Sequence, residues 1–240
     1  MGLYYCLREP PILTVIMGAK CVDGIVLVTD KKMTAEDGTF TYCDKIFGDL
    51  SHIIMGYTGW ERTFDIFRKY IVGDLVINRD SKDRYTFSNY IPVASKSVKR
   101  FNKLVVDKCK HKFEVLIAKH QYEKSELHYI NVDGTAIPIP YKAIGSGQNT
   151  ADMHCGKLDH KNITMKYFVK RAYYSILYMD KFYPDLGVGI EDDDHPCIRY
   201  LENDKDLDRE APKDDKIECR EYAINKLKEW NEKESDFLKD

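Results

Sequence analysis

Apolar positions alternate with polar ones through residues 14–21 and 24–29, where the chain reads TVIMGAKC and then GIVLVT. Val, Ile and Met dominate both runs, and Asp23-Gly24 punctuates them, so the pattern predicts two strands joined as a tight hairpin. Residues 53–57 form a third apolar run, and 46–60 reads as two short strands around a polar turn, ending in a Gly before a helix. From 61 to 76 the apolar positions Phe64, Ile66, Phe67, Ile71, Val72 and Leu75 recur at helical spacing. A polar loop over 78–88 precedes a second helical pattern over 91–108, with Val98, Phe101, Leu104 and Val105 on one face.

The second half begins with strands. Residues 113–118 (FEVLIA) predict a buried one, and 127–131 predicts a strand that pairs with the next through Asp133-Gly134. Residues 141–146 lead into the turn Gly145-Ser146-Gly147, after which a helical stretch follows. A longer helix is expected over 162–182, with Thr164 near its cap. Beyond Ile190 the chain turns acidic: a charged linker over 203–216 contains Pro212, and 219–238 reads as an amphipathic helix. The patterning thus suggests a leader over 1–13, a main domain over 14–190, and an acidic extension over 191–240.

Composition narrows the function classes. The net charge is −2, and no basic run is long enough to track a phosphate backbone, so nucleic acid is not an expected partner. Seven scattered cysteines without a C-x-x-C pair fit free thiols in a reducing cytoplasm better than a disulfide framework or a metal site. No apolar segment approaches the length of a membrane span, and the N-terminus lacks a signal pattern. The expectation is a cytoplasmic protein with neither nucleic acid nor membrane as partner.

Candidate chemistry gathers near the first hairpin. Thr14 opens the first strand, Asp30 follows the second, and Lys45 precedes Ile46-Phe47. A hydroxyl with a carboxylate and an ammonium close by could form a catalytic set. Each residue alone has an ordinary reading as a strand start, a turn or a solvated strand end; the three together are the signal.

The run GAKCVDGIVLVTDKKMT resembles the opening of a proteasome β-type subunit or its HslV relative, which are N-terminal-nucleophile hydrolases of the threonine-peptidase kind. The later run YINVDGTAIPIPYKAIGSGQNTA is similar to the family's hairpin and its Gly-Ser-Gly turn, in the same order. The resemblance implies an α+β fold, a four-layer αββα sandwich of two antiparallel sheets. It implies that residues 1–13 are a propeptide, and that Thr14, once freed, attacks a peptide carbonyl with its own α-amine as base. Lys45 would lower the hydroxyl pKa and Asp30 would hold the ammonium. The backbone N–H of Gly59 would bind the oxyanion, and Ser146 would support the threonine amine. Asp185, with Asp180 as the other candidate, would be the orienting carboxylate that follows the long helix. Tyr57 and Lys32 would line the substrate pocket.

Hydrolysis of the acyl-enzyme by water would make a peptidase, and resolution by another amine a transpeptidase. The resemblance implies a peptide or protein substrate, no metal or organic cofactor, and self-association into rings. Two departures favour an alternative, a catalytically inactive structural subunit or binding scaffold. Leu13 stands where the family has Gly before the cleavage point, and Leu186 stands where it has a Ser.

Overall fold

A computed structural model describes residues 14–34, 40–50, 53–58, 90–105, 114–121, 124–191, 194–203 and 208–237. The helix expected over 61–76, most of the loop after it, and Gly59 lie outside them. The first half holds β1 (Val15–Cys21), β2 (Gly24–Thr29), β3 (Lys32–Thr34), β4 (Phe40–Tyr42), β5 (Ile46–Leu50), β6 (Ile53–Thr58) and α1 (Tyr90–Val105). There follow β7 (Glu114–Gln121), β8 (Lys124–Ile130), β9 (Ala136–Pro138), β10 (Tyr141–Gly145) and α2 (Gln148–Cys155). The last part holds α3 (Met165–Phe182), a 3-10 turn (Pro184–Leu186), β11 (Cys197–Glu202), β12 (Asp208–Glu210) and α4 (Lys213–Phe237).

Two five-stranded antiparallel sheets carry the fold. One has the order β10-β1-β2-β11-β12 and the other β5-β6-β7-β8-β9, while β3 and β4 form a separate two-stranded ribbon. Because side chains alternate along a strand, β1 serves two layers at once. Val15, Met17 and Ala19 join Phe168, Ala172 and Ile176 of α3 in one core cluster. Ile16 points the other way and packs with Leu27, Ile54, Leu116 and Leu127 between the sheets. A third cluster joins Ile53, Met55 and Val115 of the second sheet to Ile91, Ala94 and Val98 of α1. Three apolar seams separate four layers, and the architecture is an αββα sandwich.

Two glycines let the sheets approach closely. A Cβ on Gly18 would stand 2.8 Å from Leu27 Cδ2, and one on Gly56 would stand 2.9 Å from Ile16 Cγ2. Both meet side chains of the seam between the sheets.

Local chemistry sets the element ends. The hairpin pairs Cys21 with Gly24, and Gly24 has φ of 150° where a Cβ would collide with Leu201 O at 2.2 Å. Asp23 in that turn accepts from Met165 N–H at 2.8 Å. Thr164 accepts from Tyr167 N–H at 3.2 Å, the cap expected of it. The hairpin turn and the start of α3 are therefore fastened together.

One expectation is corrected. Residues 191–240 are not an extension appended to the fold, because β11 pairs with β2 along its whole length inside the first sheet. Ile198 and Tyr200 enter the helix-side core, and Cys197 and Leu201 the seam between the sheets. A strand buried on both faces belongs to the sandwich, whatever the charge of its neighbours. The helix expected over 219–238 starts earlier, at Lys213, and its Cys219 and Ala223 join the helix-side core. Lys166 pairs with Asp215 at 2.9 Å and Lys170 with Glu218 at 2.6 Å, binding α4 to α3.

Candidate active site

β1 begins at Val15, so Thr14 stands at the open end of the first sheet, beside the last residue of β10. Its hydroxyl donates to Asp30 Oδ1 at 2.6 Å and accepts from Lys45 Nζ at 2.9 Å. Lys45 Nζ also donates to Asp30 Oδ2 at 2.9 Å and to Lys32 O at 2.5 Å. An ammonium has three donors, and three oxygens take them. Thr14 and Asp30 are 0% exposed and Lys45 is 1% exposed.

The strands explain this convergence. The register places Ile16 opposite Thr29, which brings Asp30, one residue beyond β2, level with Val15. Asp30 Oδ1 accepts from Val15 N–H at 2.9 Å, and Asp30 N–H donates to Val15 O at 3.4 Å. Lys45 arrives from the segment just before β5, across the seam. Burial pushes the Lys45 ammonium below its ordinary pKa, and the adjacent Asp30 charge pulls it back.

The main chain of Thr14 is clamped by the turn after β10. Ser146 Oγ accepts from Thr14 N–H at 3.0 Å, and lies 3.1 Å from Thr14 O and 2.8 Å from Leu186 O, the two acceptors within its reach. Gly147 N–H donates to Thr14 O at 3.3 Å. Gly145 has φ of 98°, and a Cβ there would stand 2.3 Å from Thr14 O. The Gly-Ser-Gly run is thus a cradle for one peptide unit, with each residue type required by its place.

Residues 14–182 match the family model of the proteasome subunit. The chain belongs to the proteasome subunit family. No curated protein matches it. With the sandwich above, the family makes this an N-terminal-nucleophile hydrolase fold.

Of the site residues expected from sequence, this proteasome subunit brings Thr14, Asp30, Lys45 and Ser146 within hydrogen-bond distance of one another. Lys32 joins them through its carbonyl rather than its side chain, whose ammonium lies 3.5 Å from Asp180 Oδ1 and 5.1 Å from the centre of the Phe40 ring.

Two expectations place residues where the structure does not. Tyr57 shares a strand face with Ile53 and Met55, so its ring is buried in the core beneath α1, 5.8 Å from Phe47. Asp185 sits exposed on the 3-10 turn that starts at Pro184. Asp180, the other carboxylate considered, lies closer to the set. A Cβ on Gly189 would stand 2.4 Å from its Oδ1, and Gly189 N–H itself reaches Asp30 Oδ2 at 3.4 Å.

Sequence reasoning missed the main-chain contributors. Gly189 O accepts from both Lys31 N–H and Lys32 N–H at 3.1 Å, and Leu186 O accepts from Ser146. The Gly187-Val188-Gly189 run, which includes a left-handed residue at Gly187, was the available signal for a turn of this kind.

Among the described residues, no group of His, Cys, Asp and Glu could hold a metal ion, and no helix is long and apolar enough to cross a membrane. The five described cysteines are all free, and burial pushes the Cys21, Cys155, Cys197 and Cys219 thiols up to about 12. Thiols held protonated in this way are poor nucleophiles, which leaves the hydroxyl of Thr14 as the group with partners suited to activation.

Proposed function

We propose that the protein is a threonine peptidase that acts on peptide bonds after residues 1–13 are removed. The observation that carries this reading is a single hydroxyl within hydrogen-bond distance of both a buried ammonium and a buried carboxylate. A Thr hydroxyl needs its proton taken as it attacks. In the full chain the Thr14 nitrogen is bonded to Leu13 and is no base. Cleavage ahead of Thr14 would free an amine on the same residue as the hydroxyl.

That amine accepts the hydroxyl proton as Oγ1 bonds to the substrate carbonyl carbon, and returns it to the leaving amine as the peptide C–N bond breaks. The resulting ester is then opened by water, which restores the hydroxyl and releases the acyl part as a carboxylic acid. Another amine in place of water would make the reaction a transpeptidation. Lys45 stabilises negative charge developing on Oγ1, and Asp30 keeps the ammonium charged and aimed. Gly59 remains the candidate for the oxyanion donor. Subunits of this kind are expected to associate with one another, in a reducing cytoplasmic setting.

Intact-mass measurement tests the reading. A chain lacking residues 1–13, and a Thr14→Ala variant that stays full length, are the expected results. The cleaved chain should also gain the mass of a β-lactone or epoxyketone probe on Thr14. A non-catalytic ring component is the second reading, favoured by Leu186, which offers Ser146 only a main-chain carbonyl, and by the exposed position of Asp185. A wild-type chain that stays full length and takes up no probe would establish that second reading.

A further inference from the structure

Lys31 touches none of the Thr14 side-chain atoms, yet every polar part of it reaches a segment that builds the site. Its N–H donates to Gly189 O at 3.1 Å, in the turn whose own N–H faces Asp30. Its carbonyl accepts from Cys43 N–H at 2.9 Å, two residues before Lys45. Its ammonium donates to Asp194 Oδ2 at 2.7 Å and lies 3.7 Å from Oδ1 of Asp44, the residue next to Lys45.

Asp194 is itself held. Its Oδ1 accepts from His195 N–H at 2.7 Å, and its carbonyl lies 3.4 Å from the hydroxyl of Tyr173, a fully buried residue of α3. The Lys31 and Asp194 side chains are only 19% and 38% exposed. An ion pair so shielded, and hydrogen-bonded at both ends, fixes geometry better than a solvated surface pair.

We propose that Lys31 is a positioning residue of the Thr14 site, tying the Gly189 turn and residues 43–45 to the strand end that carries Asp30. The three segments meet nowhere else through one side chain plus its own peptide groups among the described residues. Removing the ammonium frees the turn on one side and the Lys45 segment on the other. Asp30 and Lys45 then lose their shared alignment. The kinetic consequence rests on the peptidase reading above, whereas the geometric consequence does not.

The test uses the full chain with Lys31→Met, Asp194→Asn and Lys31→Arg. The first readout is the titration of Lys45, followed by NMR at its Cε and ammonium, which requires no activity. Positioning predicts that the Lys45 midpoint falls in both Lys31→Met and Asp194→Asn, because burial remains while the Asp30 contact loosens. Lys31→Arg should restore it. Charge acting through space alone predicts opposite shifts, upward on loss of the lysine and downward on loss of the aspartate. A midpoint that is unchanged or raised in Lys31→Met overturns the proposal; should that variant not fold, an unchanged midpoint in the near-isosteric Asp194→Asn does so.

The second readout is the rate of Thr14 acylation by a β-lactone. A loss of about tenfold or more is expected in Lys31→Met, the scale on which small misplacements of reacting groups act, with half-saturation by the probe unchanged. A wild-type chain that does not acylate refutes the peptidase reading alone, since the Lys45 titration still decides the role of Lys31.

Discussion

Lys45 sits at the end of a long aliphatic stem with three oxygens around its ammonium and almost no water. Breaking a buried ion pair by deleting one partner typically costs about 3–5 kcal/mol, since the remaining charge stays buried. Asp30→Asn should therefore lower the unfolding free energy by about that amount, read from a urea transition. The double variant Asp30→Asn with Lys45→Met should lose less than the two single variants together, because neither charge is then stranded. At this scale Thr14, Asp30, Lys45 and Ser146 were legible, since their chemistry lies in side chains that a sequence spells out. Tyr57 was misplaced because neighbours in number face opposite ways on a strand, so Tyr57 shares the side of Met55, not of Gly56. Asp185 was misplaced because α3 ends at Phe182 and the turn at Pro184 carries the next carboxylate outward. Gly189 and Leu186 act through peptide groups, which every residue possesses and no pattern marks.

Elements were legible wherever one period dominated. The hairpin of β1 and β2, the buried strand β7 and the capped helix α3 follow from alternation, from continuous apolarity and from Thr164. β11 was hidden because its six residues lie between acidic stretches, and because a strand apolar on both faces shows no alternation. The β3 and β4 ribbon was hidden for another reason: three residues a side are too few to show a period. α2 carries a property that only packing creates. His154 lies 5.0 Å from the Tyr174 ring and 4.9 Å from the Tyr178 ring, and burial, reinforced by the Arg171 charge, lowers its pKa from 6.5 to about 4. The unfolded chain takes up that proton near pH 6.5 and the folded chain only near 4, so stability drops as pH falls through this window. Denaturant midpoints measured between pH 7 and 4 should show the drop, and His154→Phe should make it shallower.

For the whole molecule, the apolar seams decide where the fold ends. Ile198 and Leu201 are both 0% exposed. Burying side chains of this size contributes about 1.5–3 kcal/mol each, so the two together represent about 3–6 kcal/mol of a total that is commonly ~5–15. Their removal would also leave β2 as an uncovered edge in the middle of a sheet. A chain ending at Ile190 is therefore expected to give no cooperative thermal transition by circular dichroism and to aggregate, whereas the full chain melts as one unit. The sandwich itself was legible because two separate runs, in the family's order, fix both of its sheets. The true extent of the first sheet was not, since composition changes along the chain at a point where the packing does not.

The ladder of β1 reaches beyond its own stability. Val15 faces Gly145 and Ile16 faces Thr29, and a shift of one place would turn the wrong side chains toward each seam. The threonine is thus located from downstream, by partners on either flank, and nothing in that address depends on what comes earlier. Foreign sequence could replace the first thirteen residues, longer or shorter, and the same oxygen would still meet the same lysine.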